Sequence, residues 1–279
     1  MTRVRGIGLL TGWGVGSASL PADAGEAAEG RRVIPLPTPP SEGERFRRAT
    51  RECRLGVAAV EAMLADAGLS RAAIGGPGTA LVYVTAAAYG SSNRRFIESY
   101  STADRAGGRG GAASALYFPY TAPSAVPAEV AIEYGLRGGY VILVGGAATC
   151  VEALWQAATL LGAGRCERAV VLAVETFAEC EDLWARGRWV ARGPLVEAAA
   201  CALLDGDGGV GYAVATAPAT LETLARRRAG ETLACEPMVG LALARDGGAR
   251  QAALTGQWRG RRTGVTLGLP ATAGAEAYV

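Results

Sequence analysis

Histidine and lysine are both missing from the sequence. Histidine is the commonest general base and the commonest metal ligand in proteins, so neither a Ser–His–Asp triad nor a Cys–His pair is available within this chain. All 28 basic residues are therefore arginine, and no lysine amine exists for Schiff-base chemistry. These two absences exclude the standard histidine-based routes to acyl transfer and hydrolysis.

Charge, long apolar runs and paired cysteines are scarce as well. Charged residues make up 19% of the 279 residues and the formal net charge is +2, so no global field attracts nucleic acid or a membrane surface. No apolar run approaches the roughly 20 residues of a membrane-spanning helix. The six cysteines show no CxxC spacing, which predicts reduced, buried thiols in a cytoplasmic protein rather than a disulfide or zinc framework. We therefore expect no metal, no cofactor and no nucleic-acid partner.

Half of the residues are hydrophobic, which is enough for a sizeable buried core. Strand-like segments alternate with helical ones, and this order predicts an α/β fold. The predicted strands are Val4 to Leu10, Thr79 to Ala86, Val141 to Val144 and Ala169 to Thr176. The predicted helices include residues 45–68, ended by Gly68, residues 89–100, and a helix that begins near Pro127.

The last part of the chain is different in pattern. It predicts a hairpin that turns between Asp205 and Gly209, a short helix from about Leu221 to Arg228, and a second hairpin that turns at Gly247 and Gly248. Two glycine-rich stretches elsewhere do not match nucleotide-binding motifs. The stretch GWGVG is not a GxGxxG fingerprint, and AGGRGGAAS lacks the Lys-Ser/Thr ending of a phosphate-binding loop.

The stretch VILVGGAATCVEALWQAATLLGAG combines a short strand, a glycine turn and a helix with Cys150 near its start. Backbone N–H groups at the start of a helix stabilise a thiolate, so this arrangement is able to activate a cysteine. However, Cys150 continues the apolar series of Val151, Leu154 and Leu161, which indicates the buried face of the helix. We therefore interpret Cys150 as a structural residue.

Several segments in one order across residues 3–205 resemble the N-terminal half of a β-ketoacyl synthase of the thiolase fold; they are VRGIGLLTGWGVG, RLGVAAVEAMLADAGL, FPYTAPSAVPAEVAIEYGLRGG, the strand–turn–helix above, AVVLAVETF and LVEAAACALLD. The resemblance implies a layered α/β fold with its N-terminal half retained in residues 1–215 and its C-terminal half strongly reduced. Residues 216–279, a short helix and a hairpin, would complete the same domain.

In that family the nucleophilic cysteine lies at the strand–helix turn, in a pattern like T-A-C-x-S. Aligning the two patterns without gaps places Ala147 at the nucleophile position. The family also uses two histidines from its second half, and this chain has none. The resemblance therefore implies a catalytically inactive subunit of the chain-length-factor type, or a scaffold, in fatty-acid or polyketide-type biosynthesis.

The resemblance also implies partners. The strand of Val141, Ile142, Leu143 and Val144 is expected to pair across a dimer with an active ketosynthase or with a second copy of the chain. The basic run ERFRRATRECR resembles the helix start with which related synthases contact an acidic acyl carrier protein. Its candidate docking residues are Arg45, Arg47, Arg48 and Arg51.

One alternative stays open at this point. The chain is then an active acyltransferase or hydrolase that uses Cys150, or a serine such as Ser91 or Ser124, as its nucleophile. A carboxylate would replace histidine as the base in that mechanism. The candidates for that base are Glu152, Glu175 and Glu197.

Overall fold

The computed structural model describes residues 2–40, 46, 49–105, 118–182 and 193–270. The strands are β1 (Arg3–Thr11), β2 (Gly14–Val15), β3 (Val33–Ile34), β4 (Thr79–Thr85), β5 (Tyr140–Val144), β6 (Arg168–Glu175), β7 (Leu195–Val196), β8 (Ala198–Asp205), β9 (Gly211–Val214), β10 (Gln251–Trp258) and β11 (Arg261–Gly268). The α-helices are α1 (Ala24–Ala27), α2 (Arg51–Ala67), α3 (Gly90–Arg105), α4 (Ala125–Tyr134), α5 (Ala147–Gly162), α6 (Thr220–Ala229) and α7 (Glu236–Asp246). The predicted α/β class is confirmed.

The main sheet has the strand order β10-β11-β1-β8-β6-β4-β5, with β2 added to β1 and β9 added to β11. Strands β4, β5 and β6 are mutually parallel, whereas β8 runs antiparallel to both β1 and β6. Strands β3 and β7 form a separate two-stranded parallel sheet. Strand β5 ends the main order, and within the described ranges no strand pairs with its outer edge.

Helices cover both faces of the sheet, and two hydrophobic cores result. On β4, Ala80, Val82 and Val84 belong to the core shared with α5 and α7, while Leu81 and Tyr83 belong to the core shared with α2 and α4. A strand buried on both faces is apolar at successive positions instead of alternating. This burial explains the continuous apolar run that predicted the strand.

Helix α2 ends where the sequence predicts. Gly68 has a left-handed conformation with φ 65°, and its N–H group bonds to the carbonyl of Ala65. Only glycine adopts this conformation without a steric cost, so it stops the helix. The described helix begins at Arg51, after Thr50 at the N-cap position.

The predicted hairpin at Asp205 to Gly209 is wrong. Strand β8 already has β1 on one side and β6 on the other, so both of its edges are occupied. The chain leaves β8 after Asp205, and β9 pairs with β11 instead. Burial in the middle of the sheet therefore prevents the local pairing that the sequence suggests.

The predicted hairpin at Gly247 and Gly248 is also wrong. The residues before it form α7, with Pro237 in its first turn and an almost fully buried body. The last hairpin is made instead by β10 and β11, and it turns at Arg259 and Gly260, both with positive φ. The short helix predicted from Leu221 to Arg228 is confirmed as α6.

Candidate functional site

The start of α5 is the position at which the family resemblance places a nucleophile. Strand β5 leads through Gly145 and Gly146 into the helix, whose first residue is Ala147. The first helical hydrogen bond runs from the Cys150 N–H to the Gly146 carbonyl at 3.1 Å. The N–H groups just before it have no partner within the helix and create a positive end. Ala147 presents only a methyl group there, so the position holds nothing that attacks or titrates.

The hairpin of β10 and β11 covers this helix start. A β-carbon built on Gly146 would lie 2.3 Å from a ring carbon of Trp258, and one built on Gly256 would lie 2.5 Å from the carbonyl of Ala147. Both close approaches require glycine, since any side chain would collide. Ala147 is consequently only 3% exposed.

Polar contacts hold the hairpin on α5. The Thr263 hydroxyl donates to the Ala148 carbonyl at 3.0 Å in a buried environment. The Arg261 guanidinium forms an ion pair with Glu152 at 2.7 Å on the outer side of the helix. Both contacts come from β11, the strand that pairs with the strand of Trp258, so the hairpin is attached to the helix beside the indole.

Cys150 lies one turn further into the helix and is fully buried. Burial raises the pKa of its thiol well above the ordinary value, and the negative charges of Glu175 and Glu236 add to that effect. The reactive form of cysteine is the thiolate. At neutral pH Cys150 is therefore a neutral thiol inside the core, as the apolar series around it predicts.

Glu175, at the end of β6, is one of the proposed bases and is also fully buried. Its carboxylate accepts backbone N–H groups of Ala86 at 2.7 Å, Ala87 at 2.9 Å and Ala234 at 3.3 Å. Burial raises the pKa of Glu175 to about 8, although these hydrogen bonds favour the charged form. The side chain therefore ties the end of β6 to two other segments, the one after β4 and the one at Ala234.

Glu197 is likewise engaged in the interior. It accepts N–H groups of Leu36 at 2.7 Å, Phe177 at 2.7 Å and Ala178 at 2.8 Å, and it forms a close ion pair with Arg51. Burial by itself raises the pKa of Glu197, but the hydrogen bonds from Arg51 and from the backbone outweigh it and lower the pKa below the ordinary value. Glu197 is therefore a charged structural anchor.

Arg51 was predicted as part of a carrier-protein docking cluster. The structure places its side chain, 16% exposed, between Glu197 and Glu179. The charge of Arg51 is neutralised by these internal partners, so we propose no docking role for this residue. The other three residues of that cluster, Arg45, Arg47 and Arg48, lie outside the described residues, so docking there stays a prediction.

The remaining candidate nucleophiles are not hydrogen-bonded to any of the three candidate bases. The Ser91 hydroxyl donates to the buried carboxylate of Glu52. The backbone carbonyl of Ser124 accepts the Tyr140 hydroxyl at 3.3 Å. Among the described residues neither serine contacts Glu152, Glu175 or Glu197. The described residues also contain no cluster of acidic and cysteine side chains that could hold a metal ion.

Strand β5 contains the four predicted dimer residues at the sheet edge. Val141, Ile142 and Leu143 are half-buried, and Val144 is 56% exposed. Beside the strand, a groove of about 390 Å³ runs along α4 and is lined mostly by apolar side chains. The groove includes Ile132, itself 65% exposed. The edge and the groove together form a continuous apolar surface.

The contact of Trp258 with the start of α5 is not predicted by the sequence. The indole meets Gly146 across more than a hundred positions of the chain, and no local pattern reports such a contact. The available signal was the presence of glycine at both Gly146 and Gly256, but glycine is abundant throughout this sequence, with 40 residues.

None of the helices in the described ranges has both the length and the apolar character needed to cross a membrane. The strand–turn–helix unit at the edge of a sheet covered on both faces is compatible with a thiolase-like α/β protein. The family model for "Beta-ketoacyl synthase, N-terminal domain" matches residues 40–217. The chain belongs to the β-ketoacyl synthase family.

Solved structures with the same fold are ketosynthases. The ishigamide ketosynthase/chain length factor is 18% identical with a TM-score of 0.69, over 95% of this chain and 98% of that chain. A type II PKS acyl-carrier protein in complex with its ketosynthase bound to the hexaketide (AntDE:AntF) gives 13% and 0.72, over 96% and 98%. The ketosynthase ApeO in complex with its chain length factor ApeC from Xenorhabdus doucetiae gives 12% and 0.61, over 94% and 98%. No curated protein matches the chain in sequence. Likenesses at these identities show the fold.

Proposed function

We propose that this chain is a non-catalytic β-ketoacyl-synthase-like subunit that pairs with an active ketosynthase in fatty-acid or polyketide-type biosynthesis. In that role it shapes or stabilises the partner instead of breaking bonds itself. Two of the solved structures with this fold are described as a ketosynthase with its chain length factor, which makes such a pairing a natural assembly for the fold.

One observation carries the non-catalytic part of the proposal. The first residue of α5, where the resemblance places the family's cysteine, is the enclosed Ala147. The whole sequence contains no imidazole to replace the family's two histidines. Cys150 gives the alternative acyltransferase or hydrolase no support, because it is a fully buried thiol that stays neutral at pH 7.

The pairing part of the proposal is supported by the edge of β5. Within the described ranges no strand pairs with the outer side of the segment YVILV, and the segment contains neither a charge nor a proline. Proteins normally protect a free edge with such residues, since an unprotected edge pairs with another strand. Strand addition across a subunit interface would satisfy these groups and cover Ile132 and Val144.

Co-expression with a ketosynthase encoded beside this protein tests the pairing. We expect one co-eluting species on gel filtration. A Val144→Arg variant should bind the ketosynthase at least tenfold more weakly, because it places a charge in the apolar contact. The matched control is Val214→Arg, since Val214 is also an exposed valine, 74% exposed, on the edge strand β9.

Two results would contradict the pairing. In the first, both wild-type proteins run as separate, stable species. In the second, Val214→Arg weakens the complex as much as Val144→Arg. A complex of two copies of this chain alone would indicate that self-association replaces the heterodimer.

Mass spectrometry tests catalytic silence. After incubation with an acyl thioester or with an acylated carrier protein, we expect the intact mass of the chain to stay unchanged. The partner ketosynthase, incubated in the same way, serves as the positive control. An acyl adduct mapped to Cys150 would overturn the proposal and favour the acyltransferase alternative.

Contact with an acyl carrier protein is a separate part of the proposal, and it concerns Arg47 and Arg48. Carrier proteins are acidic, so charge reversal at both positions should weaken carrier binding and make the remaining binding less sensitive to salt. The control is charge reversal at Arg5, an exposed arginine paired with Asp205 on the far end of β8. Equal loss in both variants would point to net charge instead of a docking site.

A further inference from the structure

We propose that Trp258 is a fixed plug that closes the start of α5, so that this position stays inaccessible to an acyl thioester even when a nucleophile is restored there. This inference deepens the proposed function: it adds a steric block to the missing nucleophile. It concerns the chain by itself, and its test does not require a partner.

The position of the indole carries the inference. Trp258 is half-buried, so it has solvent on one side and the helix start on the other. The contact with Gly146 is so close that a single added carbon would overlap the ring. Ala147 and Gly256 behind it are buried. The indole therefore covers the helix start at Gly146, beside the Gly256 backbone that packs against Ala147.

The plug is held in place by the sheet. Strand β10 pairs with β11 along its entire length, from Gln251 opposite Gly268 to Trp258 opposite Arg261. Strand β11 also pairs with β9, and its Thr263 bonds to the helix. A side chain on a strand anchored in this way does not swing aside as a mobile loop would. The geometry favours permanent closure over a gate.

The consequence concerns reactivity at the helix start. Backbone N–H groups at this end of α5 still favour a thiolate, so a cysteine placed at position 147 has a suitable electrostatic environment. It lacks only a path to its reagent. Removal of the indole opens that path by leaving a cavity of the kind that admits benzene-sized molecules.

The test compares the variants Ala147→Cys and Ala147→Cys/Trp258→Ala in the full-length chain, with iodoacetamide as the thiol probe. Peptide mass spectrometry follows alkylation at each cysteine over time. We expect position 147 to react at least tenfold faster in the double variant than in the single variant. The matched control is Ala147→Cys/Trp155→Ala, because Trp155 lies on the exposed outer face of the same helix and stacks on Tyr212.

Cys201, which is fully buried on the central strand β8, reports in every variant whether the fold is intact. If Trp258→Ala also exposes Cys201, the milder Trp258→Leu replaces it, because leucine retains part of the packing. The proposal is overturned if the single variant reacts as fast as the double variant, or if the Trp155 control accelerates the reaction equally. Loss of ketosynthase binding is measured separately, so failure of the plug and failure of the pairing are distinguishable.

Discussion

The buried ion pair of Arg51 and Glu197 should contribute strongly to the stability of the fold. Replacing Arg51 with methionine keeps most of the apolar stem of the side chain and removes its charge. Glu197, whose side chain is fully buried, then remains without its cation. Breaking a buried pair from one side costs about 3–5 kcal/mol, since it leaves an uncompensated charge in the interior.

The structure places this variant near the lower end of that range. Three backbone N–H groups, from Leu36, Phe177 and Ala178, still solvate the carboxylate after the guanidinium is lost. We therefore expect Arg51→Met to lower the free energy of unfolding by about 3 kcal/mol. That loss is a large fraction of the 5–15 kcal/mol that is typical of a folded domain.

The pH dependence gives a second signature. In the wild type the folded pKa of Glu197 is lowered, so its contribution is present above the unfolded pKa of about 4.3 and is lost as the pH falls through the folded value. Without Arg51, burial dominates and raises the folded pKa instead. The destabilisation by Arg51→Met should therefore be larger at pH 7 than near pH 4.5, where protonation neutralises the buried carboxyl.

Urea unfolding monitored by circular dichroism measures both effects, and an unchanged m-value shows that the denatured state is comparable. The matched control is Arg5→Met, because Arg5 and Asp205 form an exposed pair at 3.1 Å. Exposed pairs contribute about 0–1 kcal/mol. The double variant Arg51→Met/Glu197→Gln should lose less than the sum of the single losses, by about 1 kcal/mol or more.

If Arg51→Met costs no more than Arg5→Met and costs the same at both pH values, the ion pair does not stabilise the fold. Strict additivity of Arg51→Met and Glu197→Gln would also show that the two side chains are not coupled. In that case Arg51 would be released for a surface role, and the docking prediction would regain this residue.

Three further outcomes follow from the buried groups. Burial raises the folded pKa of Glu175 to about 8, so the wild type should lose stability as the pH rises from about 4.3 to 8. Glu175→Gln should flatten that part of the melting-temperature profile. Parallel profiles of the two proteins would contradict this expectation. Cys150→Ala should lower the free energy of unfolding by about 1 kcal/mol, like the loss of one buried methyl group, while ketosynthase binding in the gel-filtration assay stays unchanged. Thr263→Val removes the buried hydrogen bond to Ala148 and should cost about 1 kcal/mol in urea unfolding, compared with a negligible change for Thr159→Val on the exposed side of α5.

The alternation of strands and helices, the buried face of α5 and the lack of histidine are all readable from the amino-acid sequence. Continuous apolar runs report a strand covered on both faces, as in β4, and Gly68 reports a helix end; both are local properties. The absence of histidine is a property of composition. Likewise the apolar series around Cys150 placed this thiol in the core, because helical periodicity alone decides which face is buried.

Tertiary structure decided which segments pair and what covers the helix start. Strand β9 could not pair with β8, because β1 and β6 already occupy both edges of β8. The position of Trp258 over Gly146 depends on a hairpin far along the chain. The ion pair that withdraws Arg51 from the surface joins residues separated by 146 positions. Such contacts are set by the competition of all segments for the same sheet edges and the same buried space, and no local window of sequence contains that competition.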